Sequence, residues 1–280
     1  KCEHIMVKIG ETASKGAVTH QQELLAKAAT YLTQDKLDLI QKAYEFAREA
    51  HLGQFRKSGE PYLEHPVQTA RFLVDLRLDG STIAAALLHD VMEDCGVSQP
   101  TLRNQFGEEI SSLVDGVTKL SRLNRTTVDE RETEDHVLGD GYNQAASLRK
   151  MLVAMAEDIR VVLIKLADRF HNMRTLAALP YERQIAISQE TVDIYAPLAH
   201  RLGMWDLKWH LEDLAFRFLK PDKYKEISQL LSTKREEREN YVRQVTSVLT
   251  KELEEAGVMS QVSGRPKHLY SIYRKVRKYA

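Results

Sequence analysis

Apolar residues recur along most of the chain at intervals of three and four positions, which is the period of an amphipathic helix. Leu37, Ile40, Ala43, Tyr44 and Ala47 are one such run. Proline and glycine are scarce, so few positions interrupt the pattern. The pattern predicts helices near residues 22–32, 36–51, 65–76, 80–94, 100–105, 108–120, 145–156, 158–177, 181–195, 197–202, 206–218, 221–231 and 233–256.

Three segments depart from the helical pattern. Residues 53–61 combine two glycines, a proline and a basic pair, and predict a structured turn. The polar stretch 123–144 predicts a mobile loop. Residues 258–266 predict a short strand and turn, followed by a basic helix that runs to Ala280. We therefore expect an all-α helical bundle followed by the truncated start of a second domain.

Composition excludes several classes of partner. The 40 Lys and Arg residues balance the 40 Asp and Glu residues, so no overall field attracts nucleic acid or an anionic membrane. No stretch approaches the roughly 20 apolar residues that span a bilayer. Because residues 1–20 also lack the apolar block of a signal peptide, we expect a soluble interior compartment, in which Cys2 and Cys95 are reduced and form no disulfide framework. We expect neither a nucleic-acid nor a membrane partner, and an anionic ligand must be bound by a local site.

A group of ionisable residues follows the small, apolar helix at residues 83–88. His89 and Glu93 are four positions apart, as are Asp90 and Asp94, so at helical spacing the four side chains converge. Unpartnered carboxylates at a buried helix end are costly, because a buried charge requires a pKa shift or a counter-ion. A divalent cation removes that cost.

Two other segments provide further candidate ligands. His65 precedes Pro66, a residue that suits the first turn of a helix, and Asp168 follows an apolar run that should be buried. Two neutral imidazoles and two carboxylates balance a divalent charge, and this donor set suits Mn²⁺, Fe²⁺ or Zn²⁺ rather than Ca²⁺. A lone His-Asp pair is more often a capped helix end, and it is the matching contexts that favour ligation. The predicted metal ligands are His65, His89, Asp90 and Asp168.

The motifs resemble those of a known family. The H…HD…D pattern is similar to that of the HD-domain phosphohydrolases, and the strings at 56–62, 88–94 and 165–175 resemble the hydrolase half of the RelA/SpoT homologues. The resemblance continues through residues 197–203 to 264–275, so it covers nearly the whole chain.

The resemblance implies a Mn²⁺-dependent 3′-pyrophosphohydrolase that converts ppGpp to GDP, or pppGpp to GTP, with release of pyrophosphate. It implies that His65, His89, Asp90 and Asp168 bind the metal, and that the catalytic residues Glu93 and Asp94 orient and deprotonate the attacking water. The substrate-binding residues that it implies are Arg56, Lys57, Ser58, Asn172 and Thr175. From the residues alone, Arg56 and Lys57 could equally belong to a solvated basic turn, and Asn172 and Thr175 could serve only to satisfy the backbone.

The same resemblance divides the chain into three regions. We expect an HD-type helical hydrolase domain at 1–203, connecting helices at 204–256 and the truncated start of an α/β synthetase domain at 257–280. Arg265 and Lys267 are candidate phosphate contacts in that last region, but no synthetase activity is expected from it. Regulation of the hydrolase by the missing synthetase and C-terminal regions is expected, in a bacterial cytoplasm or a plastid stroma.

Two other functions are compatible with the residues. The chain could be an HD hydrolase of another nucleotide, such as the 2′-phosphate of NADPH or a dNTP. It could also be a regulatory module that binds nucleotide without turnover. Turnover of ppGpp beside these other nucleotides distinguishes all three.

Overall fold

The structure is a computed structural model that describes residues 20–129, 151, 153, 157–232, 235–264 and 267–279. Predictions that fall on Cys2, on residues 130–144, on most of the helix at 145–156 and on Arg265 lie outside these residues. Among the described residues, every helix is too short or too polar to span a bilayer.

The described chain is helical almost throughout, and the predicted all-α fold class is confirmed. The helices are α1 (residues 20–28), α2 (Gln34–Ala50), α3 (Glu64–Asp75), α4 (Gly80–Leu88), α5 (Val91–Asp94), α6 (Gln99–Asp129, broken at Gly107), α7 (Ile159–Arg174), α8 (Tyr181–Glu190), α9 (Ala196–Arg201), α10 (Trp205–Leu219), α11 (Pro221–Ser232), α12 (Arg235–Glu255) and α13 (Leu269–Tyr279). A 3₁₀ turn (Leu176–Ala178) follows α7, and a π-helical turn (Thr191–Tyr195) separates α8 from α9.

Three details of the predicted elements are wrong. The predicted helix 80–94 breaks at Asp90, whose backbone angles (φ −99°, ψ −9°) lie in the sparsely occupied bridge region where many active-site residues are found. Residues 123–129 continue α6 as helix rather than forming a loop. Residues 258–264 form no strand, because a strand needs a neighbour to pair with, and the described residues contain only an isolated bridge between Phe55 and Pro61. The basic helix predicted after this segment is present as α13.

The described residues group into two compact units. One comprises the described residues up to Ala186 with Asp193–Tyr195, and the other comprises Ile187–Val192 with the described residues from Ala196 onward. The predicted domain boundaries after residues 203 and 256 stay predictions.

The core of the first unit is built around α4. Every residue of this helix is buried, and α2, α3, α6 and α7 all pack against it. Its small side chains allow that close approach, and Asp79 caps its first turn by accepting a hydrogen bond from the Thr82 amide at 3.0 Å. Gly116 on α6 has a similar role, because a Cβ there would lie 2.9 Å from Cγ2 of Val161 on α7. The packing brings the C-terminal end of α4, the start of α3 and the middle of α7 to one place.

In the second unit, α10 packs against α9, α11 and α13. Asp213 on α10 caps α13, because Oδ1 of Asp213 accepts a hydrogen bond from the Tyr270 amide at 2.9 Å. Phe216 lies in the core of this unit, with the ring of Tyr273 stacked on it at 4.8 Å.

Candidate metal centre

Four predicted ligands from three helical segments come together in the first unit. Nε2 of His65, at the start of α3, lies 3.2 Å from Oδ1 of Asp168 on α7 and 3.4 Å from Oδ2 of Asp90. Nε2 of His89, at the end of α4, lies 3.2 Å from Oδ1 of Asp90. The donor atoms of His65, His89 and Asp168 all lie within 4.8 Å of one another, and these three residues are buried. Asp90 borders both imidazoles and is partly exposed.

The hydrogen-bond partners of His65 fix its tautomer. Nδ1 of His171 lies 3.1 Å from Nη1 of Arg56, and a guanidinium can only donate, so this Nδ1 must be an acceptor. The same Nδ1 lies 2.8 Å from Nδ1 of His65, which must therefore carry the hydrogen and donate it. Nε2 of His65 is then the unprotonated nitrogen and presents its lone pair to Asp90 and Asp168.

His89 is held in the matching state by the backbone. Its Nδ1 lies 2.7 Å from the carbonyl oxygen of Ala86, which can only accept, so Nδ1 carries the hydrogen. Nε2 of His89 is buried and makes no hydrogen bond to any of the described residues. A buried nitrogen lone pair that faces carboxylates and has no hydrogen-bond donor is the arrangement expected of a metal ligand.

The two carboxylates of the cluster are ionised. Burial acts to raise the pKa of Asp168, but the Lys165 ammonium and the neighbouring histidines hold it well below its usual range. Burial also acts against ionisation of Asp90, and the nearby His89 and His65 outweigh it and lower its pKa. Burial lowers the pKa of His65. Burial, together with the neighbouring His65 and the charge of Arg56, lowers the pKa of His171 to about 3. Neutral imidazoles and ionised carboxylates are the protonation states that metal ligation requires.

These residues fit a divalent cation. Two imidazole nitrogens with free lone pairs and two anionic carboxylates give mixed nitrogen and oxygen ligation with a charge that balances +2. His171 holds Nδ1 of His65 and the Ala86 carbonyl holds Nδ1 of His89, as is usual for metal-ligating histidines.

The predicted acidic pair lies beside this cluster, on α5. Asp94 is exposed, and its Oδ2 accepts a short hydrogen bond from the Tyr62 hydroxyl, which also donates to Oδ2 of Asp90 at 3.2 Å. Glu93 is half-buried, with Oε1 fully enclosed. Burial and the negative charges of Asp90 and Asp94 raise the pKa of Tyr62, so its hydroxyl stays protonated.

Three of the five predicted substrate contacts meet next to the cluster. Nη2 of Arg56 donates to Oδ1 of Asn172 at 2.6 Å, and Nη1 donates to Oγ1 of Thr175 at 3.4 Å. The predicted turn that carries Arg56 is present, closed by a hydrogen bond from the Gly59 amide to the Arg56 carbonyl at 2.9 Å; Gly59 has the positive φ of 86° that favours glycine.

The other two predicted substrate contacts are not brought to the cluster. The side chains of Lys57 and Ser58 are exposed, and Ser58 donates only to Glu60, at 3.5 Å, among the contacts of the described residues.

Several residues around the cluster had no predicted part in it. His171 contacts His65, Lys165 binds Asp168 at 2.5 Å, and Tyr62 bridges Asp90 and Asp94. His51 is buried, with its ring stacked on Tyr62 at 4.6 Å. Their spacing of three from a predicted ligand, Tyr62 to His65 and Lys165 and His171 to Asp168, is the signal that could have found three of them.

The arrangement matches a known family. The family model described as HD domain matches residues 43–205, a range that contains every residue of the cluster. The chain belongs to the HD-domain family. The expectation of an HD domain that uses a divalent metal is thereby confirmed, and the choice of Mn²⁺ stays a prediction.

Two relatives of this HD-domain chain have names that refer to hydrolysis of guanosine-3′,5′-bis(diphosphate) or (p)ppGpp. A Synechocystis protein named "Probable guanosine-3′,5′-bis(diphosphate) 3′-pyrophosphohydrolase" is 49% identical over 85% of this chain and 30% of its own length. An Escherichia coli K12 protein named "Bifunctional (p)ppGpp synthase/hydrolase SpoT" is 45% identical over 88% of this chain and 34% of its own. The predicted resemblance to the RelA/SpoT homologues is confirmed.

A solved structure titled "A metazoan ortholog of SpoT hydrolyzes ppGpp and plays a role in starvation responses" is similar with a TM-score of 0.46 and 25% identity, over 67% of this chain and 96% of that one. The chain spans about a third of the length of the curated relatives it matches.

Proposed function

We propose that this chain hydrolyses the 3′-pyrophosphate of ppGpp and pppGpp, giving GDP or GTP and pyrophosphate, with Mn²⁺ as its metal. The observation that carries the proposal is the pair of buried imidazoles, each with its Nε2 lone pair directed at carboxylates, next to a second acidic pair. The names of the relatives support the choice of substrate.

In this proposal, His65, His89, Asp90 and Asp168 hold the cation. A divalent cation supplies Lewis-acid polarisation of a phosphoryl oxygen and lowers the pKa of water into the neutral range. The partly exposed position of Asp90 leaves one side of the cluster open to a substrate.

The acidic pair supplies the base. We assign to Asp94, which is exposed beside Asp90, the removal of a proton from the water that attacks phosphorus, and to Glu93 the orientation of that water. As the new P–O bond forms, the bond from phosphorus to the ribose 3′-oxygen breaks, and that oxygen takes up a proton.

Arg56 provides a place for the nucleotide. Within the part of the chain that the structure describes, its guanidinium is held by His171, Asn172 and Thr175 rather than by a carboxylate, so its charge remains available to an anion. A planar guanidinium can also stack on a purine base. Lys57 and Ser58, exposed on the same turn, are proposed to contact the phosphates once substrate is bound.

A turnover assay tests the proposal. The chain is incubated with Mn²⁺ and, separately, ppGpp, pppGpp, NADPH and a dNTP, and products are separated by anion exchange. We expect GDP or GTP with stoichiometric pyrophosphate, and only slow turnover of the other nucleotides. Asp90→Asn should abolish the reaction, while Asp115→Asn, the same change at a carboxylate paired with Lys119, should not.

Preferential turnover of NADPH or a dNTP would replace the proposed substrate. Binding of ppGpp without turnover, unchanged in Glu93→Gln, would favour a regulatory module instead.

A further inference from the structure

The hydroxyl of Tyr62 lies between two carboxylates that have different parts in the proposed reaction. It donates to Oδ2 of Asp90 at 3.2 Å and makes a shorter hydrogen bond to Oδ2 of Asp94. Asp90 is a proposed metal ligand and Asp94 the proposed base, and Tyr62 is the residue that touches both.

The ring of Tyr62 packs against a buried imidazole. The imidazole of His51 stacks on it at 4.6 Å with an angle of 12° between the rings, and His51 is only 3% exposed. Nδ1 of His51 lies 2.9 Å from Oε1 of Gln54, whose amide donates in turn to the backbone carbonyl of Asp94 at 3.3 Å. Tyr62 therefore binds the side chain of Asp94, and Gln54, which contacts the His51 stacked on Tyr62, binds its backbone.

A phenol has one hydrogen to donate, and Tyr62 offers it to two anions. The bond to Asp94 occupies Oδ2 and fixes the rotation of an exposed carboxylate that would otherwise turn freely. Oδ1 takes no part in this bond, and we assign to it the removal of the proton from water. The weaker contact with Asp90 fixes the distance between the base and the ligand cluster.

We propose that Tyr62 is a positioning residue that orients the Asp94 carboxylate relative to Asp90 for removal of the water's proton. This inference rests on the proposed function. It assigns to Tyr62 an effect on the rate of the chemical step, and little effect on substrate or metal binding. A residue that merely packed would act through its ring, which Tyr62→Phe retains together with the stack on His51.

The experiment compares kcat, KM and Mn²⁺ affinity in Tyr62→Phe. Mn²⁺ affinity is measured by electron paramagnetic resonance without substrate, and folding by thermal unfolding. Loss of a partner that orients a ligand or base lowers activity by roughly 10- to 100-fold, so we expect kcat to fall by that factor. KM, Mn²⁺ affinity and Tm should stay close to those of the wild type. Tyr31→Phe is the matched control, because Tyr31 donates to the Leu78 carbonyl at 3.0 Å away from the cluster, and it should leave kcat unchanged.

A double-mutant cycle tests the route through Asp94. When the base is already lost in Asp94→Asn, adding Tyr62→Phe should lower kcat by less than about threefold, since interacting residues are not additive. An equal loss in both backgrounds would overturn the assignment. So would a kcat within twofold of wild type, or a loss confined to KM or to Mn²⁺ binding. If the wild type itself binds Mn²⁺ but releases no pyrophosphate, the proposed function fails, and the inference about Tyr62 fails with it. Turnover by the wild type with an equally active Tyr62→Phe overturns this inference alone.

Discussion

Nδ1 of His171 lies 2.8 Å from Nδ1 of His65, and Arg56 makes the direction of that hydrogen bond unambiguous. Since Arg56 also donates to His171, His171 accepts and His65 donates. An arginine on the turn before α3 thus determines which nitrogen of a buried imidazole faces the carboxylates. His171 is neutral, because its pKa is lowered to about 3 chiefly by burial, so its acceptor nitrogen persists at neutral pH.

His171 is therefore expected to control metal affinity without touching the metal. His171→Leu removes the acceptor and should weaken Mn²⁺ binding by roughly 10- to 100-fold. His171→Asn places an amide oxygen near the position of Nδ1 and should recover most of the affinity. Titration of both variants with Mn²⁺ measures the difference. Equal losses in the two would show that packing, rather than the acceptor, is what His171 provides.

Substitutions of the metal ligands and of the acidic pair should differ in their effects on metal content and on rate. Asp90→Asn should lose Mn²⁺ and turnover, because it removes one of the two anionic donors of the cluster. Asp94→Asn should retain Mn²⁺ and lose roughly 10²- to 10⁴-fold in kcat, the range for loss of a general base. Glu93→Gln, which disturbs the orientation of the attacking water, should also retain Mn²⁺ and lose rate. Metal analysis beside single-turnover rates decides it. Turnover like that of the wild type in Asp90→Asn would refute the ligand assignment.

The sequence predicts the segments of the cluster well, because each contributes a short local signal. A His before a proline, a His-Asp pair after an apolar run and an Asp after another apolar run are recognisable one at a time. The structure brings these segments together through α4, whose small buried side chains let α3 and α7 pack against it. Helix periodicity predicted most boundaries for the same local reason.

What the sequence could not give is the direction of side chains that depend on a neighbouring helix. His171 follows Asp168 by three positions, and only the packing of α3 against α7 makes it meet His65. Lys57 and Ser58 adjoin Arg56 in sequence, yet they are exposed while Arg56 bends toward α7. The strand predicted after Val258 depended on a pairing that a local pattern cannot reveal.

Bound Mn²⁺ should compensate for the loss of the Lys165 charge beside Asp168. Its ammonium is buried against Asp168, and removing one partner of a buried ion pair typically costs roughly 3–5 kcal/mol. Lys165→Met is expected to unfold at lower denaturant when EDTA is present and to recover more stability from Mn²⁺ than the wild type does, since the cation replaces the missing positive charge.

Lys208→Met is the matched control, because Lys208 forms a comparable, largely buried pair with Glu212 in the other unit. It should lose stability that Mn²⁺ does not restore. Equal recovery in both variants would mean that the added Mn²⁺ acts elsewhere.

Arg160 should make part of the stability depend on pH. Its hydrogen bonds lower the pKa of Asp158 and of Glu109 below their ordinary values of 3.8 and 4.5. A carboxylate whose pKa is depressed in the folded state contributes stability above its unfolded pKa and loses it as pH falls through the folded one. Arg160→Met should therefore lower the free energy of unfolding at about pH 6 and have little effect at about pH 2.5.

Denaturant titrations at the two pH values, each at low and high salt, measure this difference. Both acids are partly exposed, so salt should reduce the effect at the higher pH. Arg103→Met breaks a more exposed pair with Glu108 and should cost less, because exposed ion pairs contribute little. Asp158 also caps α7 by accepting a hydrogen bond from the Arg160 amide at 2.9 Å, which the substitution leaves in place. A loss in Arg160→Met that is the same at both pH values would therefore point to packing of the arginine stem instead of its charge.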